Sequence, residues 1–163
     1  MAEAQRQAEP RAGLPDLIVG ILLIAWTAIV HAAFMVGGRA LFLGHPGHPH
    51  RHIDHYLVRP LLVTAVVLWF FLAVVVEAWS WALIYLALGI FEELEPALYF
   101  STVSFTTLGF GDIVLDPEWR LLGAFQAAAG MVIFGWTTAM VFEAVRLIYD
   151  RGGLTSRLDR LPH

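Results

Sequence analysis

Residues 104 to 114 read SFTTLGFGDIV. Between Thr106 and Asp112 stand two hydroxyls, two glycines on either side of an aromatic, and a carboxylate. No nucleophile, pair of catalytic carboxylates or phosphate loop is evident in the chain, so no enzyme is expected. The chemistry on offer is that of the backbone. Glycine takes positive φ without steric cost, so Gly109 and Gly111 allow a strand to alternate handedness and turn successive carbonyls one way. Carbonyls aimed at a common axis are ligands for a cation.

The surroundings are apolar. Of 163 residues, 58% are hydrophobic and 15% charged, where a soluble domain carries about 25% charged. There is no cysteine, which excludes disulfides and thiolate metal sites. Crossing a bilayer takes about 20 apolar residues, and three segments are long enough: 16–43, 61–90 and 118–148. A polar N-terminal tail, 1–15, precedes them, and a short C-terminal tail, 149–163, follows. The first apolar run is too long for a cleaved signal peptide. His31 lies inside the first segment and Glu77 inside the second, and such residues in a membrane normally face protein and find a partner.

Between the second and third segments, Glu95-Pro96 reads as a helix start, because proline there forfeits an N–H that needs no partner. A helix over 96–106 would be about 16 Å long, half a bilayer. The strand 107–112 follows, and Asp116-Pro117-Glu118 caps the third long helix. The order is long helix, half helix, glycine-bearing strand, long helix. Irregular backbone at membrane depth is tolerated only where protein or a water-filled path covers it.

Thr106-Thr107-Leu108-Gly109-Phe110-Gly111-Asp112 resembles the selectivity filter of the potassium channel superfamily, TTVGYGD in its commonest form. Tyr99-Phe100 falls where that family has a pair of pore-helix aromatics, and Gly130 and Gly135 where it has inner-helix glycines, candidate gating hinges. The resemblance covers roughly Leu61 to Arg146. It implies an all-α membrane protein with a re-entrant pore helix and filter between its second and third transmembrane helices, one pore loop per chain. The carbonyls of Thr107, Leu108, Gly109 and Phe110, with the Thr107 hydroxyl and Gly111 beside them, would replace the water shell of K+. One chain supplies one strand, so a homotetramer is implied. No cofactor is implied beyond permeant K+, and no nucleic-acid partner is expected.

Two positions depart from the common motif. Leu108 replaces valine, and Phe110 replaces a tyrosine whose hydroxyl can bond the pore helix behind it. Phe110 is therefore expected to pack against Tyr99 and Phe100. Val103 stands where some relatives keep a glutamate. Potassium selectivity is expected, with a filter more prone to collapse or sodium leak; a nonselective Na+/K+ channel is the alternative. Glu92, Glu93, Glu95, Asp112, Asp116 and Glu118 would ring the mouth and concentrate cations.

All ten basic residues are arginine, a bias read as bacterial. If the filter opens outward, seven of the ten (39, 51, 59, 146, 151, 157 and 160) lie at the cytoplasmic side, in keeping with the positive-inside rule. A multi-pass protein of the bacterial inner membrane follows, its N-terminus outside and its C-terminus cytoplasmic. The first two spans hold no ladder of arginines, so no voltage sensor is expected, nor a regulatory domain. Glu143 would ring the inner mouth or pair with Arg146.

The loop 44–60 contains His45, His48, His50, His52 and His55. Imidazoles titrate near pH 6.5 and suit zinc or nickel, so the loop is read as a linker, a proton sensor or a metal site. On it alone rests a third reading, a non-conducting membrane metal-binding protein.

Overall fold

A computed structural model describes residues 14–43 and 55–158. They form four helices: α1 (Leu14–Leu43), α2 (His55–Ala87), α3 (Leu94–Phe105) and α4 (Arg120–Leu158). No strand occurs among the described residues. Three helices are long and apolar enough to cross a membrane, over Leu17–Phe42, Val58–Ala87 and Arg120–Tyr149.

Local chemistry sets the ends, and several differ from the expected ones. Helix α2 starts at His55, so the last six residues of the expected loop are helical. Pro60 lies inside that helix, where its ring removes one helical hydrogen bond, and Thr64 donates its hydroxyl to the Pro60 carbonyl at 2.9 Å. The helix stops at Ala87, three residues short of the expected end, because Gly89 takes φ +70°. Its N–H bonds the Leu86 carbonyl at 3.0 Å and the Ile90 N–H bonds that of Tyr85 at 3.0 Å, the paired bonds of a Schellman stop. Helix α3 opens at Leu94 behind an extended Glu93 (φ −119°, ψ 149°). Pro96 therefore sits in its first turn, where N–H groups lack helical acceptors. At α4 the residues Asp116 to Trp119 form a turn closed by Trp119 N–H to Asp116 O at 2.8 Å, and the helix begins at Arg120. It runs through Gly152 and Gly153 to Leu158, well beyond 148.

The chain divides into two compact units, each drawing on α1, α2 and α4. The first comprises Met1–Ile29 and Val75–Ile133; the second comprises Val30–Val74 and Phe134–His163. In the second, Trp69 of α2 donates its indole N–H to the Phe34 carbonyl of α1 at 2.9 Å. Gly38 makes that approach possible, since a Cβ there would lie 2.9 Å from Trp69 Nε1. His31 is fully buried; its Nε2 lies 3.2 Å from Thr137 Oγ1, and its ring packs on Phe70 and Trp136 at 5.9 and 5.3 Å. In the first unit, Trp81 donates to Thr27 Oγ1 at 3.0 Å, and α1 admits the Phe125 ring of α4 at Gly20. Lipid is as apolar as leucine, so helices in a membrane associate through close packing over small residues and hydrogen bonds. Both kinds of contact are present in each unit. Large apolar side chains such as Ile21, Leu68, Phe71 and Phe142 point outward, as a bilayer requires.

Candidate functional site: the segment after the short helix

The site lies wholly in the first unit. Helix α3 ends in a second Schellman stop: Thr107 N–H bonds Ser104 O at 2.9 Å, and Leu108 N–H bonds Val103 O at 3.0 Å. The stop needs a left-handed residue, a position usually given to glycine. Here it is Thr107, with φ +59°. A β-branched residue at positive φ is a backbone outlier. Gly109 (φ +53°) and Gly111 (φ +77°) continue the pattern, while Leu108 and Phe110 stay at negative φ. Handedness thus alternates residue by residue from 107 to 111. Gly109 and Gly111 entered the sequence reading; Thr107 adds a third left-handed position that its residue type hides.

All residues from Thr106 to Asp112 are exposed. Thr106 caps the helix with φ −78° and ψ 0°, and its hydroxyl donates back to Thr102 O at 2.8 Å. Leu108 is 58% and Phe110 65% exposed. Within the single chain Phe110 is not buried against Tyr99 and Phe100. Phe100 packs edge-to-face on Tyr85 and tilted on Phe91, at 5.4 and 5.6 Å between ring centres, and its ring edge leans on Gly123.

Tyr99 reaches a different partner. Its hydroxyl donates to Asp112 Oδ2 at 2.5 Å, while Asp112 Oδ1 accepts the Ile113 N–H at 3.0 Å. The bond from Tyr99 holds the Asp112 carboxyl below its ordinary range and raises the Tyr99 phenol above its own, because it favours ionised carboxylate and neutral phenol together. Behind this pair lies a cavity of about 190 Å³ lined by Tyr99, Val103, Asp112, Leu115 and Gly123.

Sequence reasoning missed a buried polar network beneath the segment. Tyr85 of α2 donates to Gln126 Oε1 of α4 at 2.7 Å. Gln126 Nε2 donates to Ser101 Oγ at 2.7 Å and Ser101 O at 3.2 Å on α3, and Ser101 Oγ donates to Ala78 O at 2.6 Å. All three polar side chains are fully buried. The available signal was the one carboxamide in the third apolar segment.

The remaining sequence candidates lie as follows. A Cβ on Gly130 would fall 1.9 Å from the Phe105 carbonyl oxygen, whereas at Gly135 it would meet nothing within 4 Å. Glu92, Glu93, Glu95, Asp116 and Glu118 are exposed, as are Glu143 and Arg146 on α4. Glu77 is buried in the first unit. His45, His48, His50 and His52 lie outside the described residues, and His55 is the first residue of α2, its side chain likewise undescribed. Among the described residues, no group of three metal-ligating side chains converges.

A short helix stands between two membrane-length helices and is followed by a backbone of alternating handedness. The chain matches the ion channel family over residues 62–146, more than half its length, and belongs to that family. The match points to a channel and not an enzyme. Helix α1 precedes the matched region. No curated protein and no solved structure matches the chain significantly.

Proposed function

We propose that four copies of this chain form a potassium-selective channel, with residues 107–111 of each copy lining the axis. The observation that carries this reading is the alternation of φ at Thr107, Gly109 and Gly111 across a segment that is exposed in the single chain. Alternating handedness turns successive carbonyls to one side, and four such strands would surround a dehydrated cation with oxygen. Backbone of this kind cannot face lipid, so further copies and a water-filled path must cover it. Helix α3 points its partially negative C-terminus toward the same region, which favours a cation there. Membership of the ion channel family agrees with this. The arginine distribution supports an outward-facing filter, an external N-terminus and a cytoplasmic C-terminus in a bacterial inner membrane.

A nonselective cation channel is the second reading. It is favoured by the residue types at Phe110 and Val103, since neither offers a polar group to brace the segment. Purified protein in liposomes decides between them. The expected result is a particle of tetrameric native mass passing potassium in preference to sodium, with block by barium. Equal passage of both ions would establish the nonselective channel, and a monomeric or dimeric particle would overturn the tetramer.

A further inference from the structure

Contacts between α3 and α4 repeat with a helical period on both partners. Ser101 and Phe105 lie four residues apart on one face of α3; Gln126 and Gly130 lie four apart on one face of α4. Gln126 grips Ser101 through its hydroxyl and its carbonyl. One turn on, Gly130 lies against the Phe105 backbone so closely that a Cβ would fall 1.9 Å from its carbonyl oxygen and 2.8 Å from its carbonyl carbon. The first contact is polar and directional. The second is a notch that only glycine provides.

Together they permit one register. Apolar surfaces slide over one another at little cost, whereas a buried hydrogen-bond network has a single satisfied arrangement. Shifting α4 by one residue along α3 would carry Ala129 or Met131 into the notch and strip Ser101 of the carboxamide. Tyr85 fixes the carboxamide's orientation from α2, taking its oxygen at 2.7 Å and leaving its nitrogen for Ser101. Ser101 is tied in turn to Ala78 O at 2.6 Å. Phe105 immediately precedes Thr106 and Thr107, so whatever sets the height of α3 sets the height of residues 107–111.

We infer that Gln126, with Gly130 beside it, is a positioning residue for the ion pathway: it locks α4 to α3 in the register that holds residues 107–111 in conducting geometry. The inference rests on the proposed channel reading and deepens it. It also assigns Gly130 to close approach of two backbones and not to bending.

The test uses the full chain in liposomes of phosphatidylethanolamine and phosphatidylglycerol, with three variants. Gln126→Leu removes the network at similar volume. Gln126→Glu, protonated when buried, still donates to Ser101 and accepts from Tyr85. Ser80→Ala, which loses only a bond within α2, is the control. Gln126→Leu should lower the potassium-to-sodium permeability ratio about tenfold with native mass unchanged; Gln126→Glu should restore most of it; Ser80→Ala should leave it at the parent value. Resonances of Gly109 and Gly111 amides in nitrogen-15 glycine-labelled protein should shift in Gln126→Leu and return in Gln126→Glu. A ratio and resonances that stay at parent values while thermal stability falls would reduce the network to a structural role and overturn the inference. If Gln126→Leu does not assemble, Ser101→Ala and Tyr85→Phe are read by the same measures, and unchanged values in both overturn it. A parent that passes both ions equally would overturn the selectivity reading alone, and the resonances would still decide the role of Gln126.

Discussion

Tyr99 on α3 donates its hydroxyl proton to Asp112, thirteen residues further along the chain, at 2.5 Å. The bond closes a loop around residues 100–111 and ties its exposed end to the helix that launches it.

Removing that tie should loosen the pathway. Tyr99→Phe and Asp112→Ala are each expected to lower the potassium-to-sodium permeability ratio, and the double variant should be no worse than the poorer single one, as for two ends of one interaction. Additive losses would show that the two residues act separately.

The same pair sets a pH window. Asp112 titrates below its ordinary 3.8, so its contribution is present above that value and is lost as pH falls through the lowered one. Tyr99 titrates above its ordinary 10.0, so its contribution is present below that value and is lost as pH rises through the raised one. Between about pH 5 and about pH 9 neither changes state. Selectivity measured with external pH varied over that interval should stay flat in protein whose five loop histidines are replaced by glutamine. A change within the interval would place a titrating group elsewhere along the pathway.

Glycines at positive φ separate a role in conduction from a role in folding. An added Cβ at Gly89, Gly109 or Gly111 meets nothing within 4 Å, so the cost of alanine is that of the left-handed backbone, about 1–2 kcal/mol per residue. All three alanine variants should lose thermal stability by that order. Gly109→Ala and Gly111→Ala should in addition abolish selective flux, while Gly89→Ala, which caps α2, should keep the parent's permeability ratio. Parent-like selectivity in both filter variants would refute the carbonyl-ligand reading.

Gly38 and Trp69 offer a test of packing independent of the pathway. Gly38→Ala pushes the indole away from the Phe34 carbonyl, and Trp69→Phe removes the donor, so each loses a hydrogen bond with a net value of about 1 kcal/mol. Thermal unfolding in detergent should show Gly38→Ala destabilised in the parent background and nearly neutral on top of Trp69→Phe. Equal effects in both backgrounds would mean that Gly38 matters through something other than that bond.

Composition and segment length are enough to read three membrane-length helices, because a run of apolar residues needs no partner to declare itself. The glycine spacing at 109 and 111 is legible for a similar reason: only glycine takes positive φ freely, so residue type reports backbone conformation. Thr107 breaks that correspondence, and its left-handed turn comes from the Schellman stop of the helix before it. Partnerships are another matter. Tyr99 with Asp112, Tyr85 with Gln126 and Ser101, and Gly130 with Phe105 join residues from 13 to 41 positions apart. In a soluble helix the apolar stripe marks the face that packs. In these helices the exposed side carries large apolar residues just as the buried side does, so sequence periodicity cannot say which face meets which neighbour. The contacts of the folded chain decide it, through one carboxamide, a few hydroxyls and indoles, and a few glycines that admit a neighbouring backbone or ring.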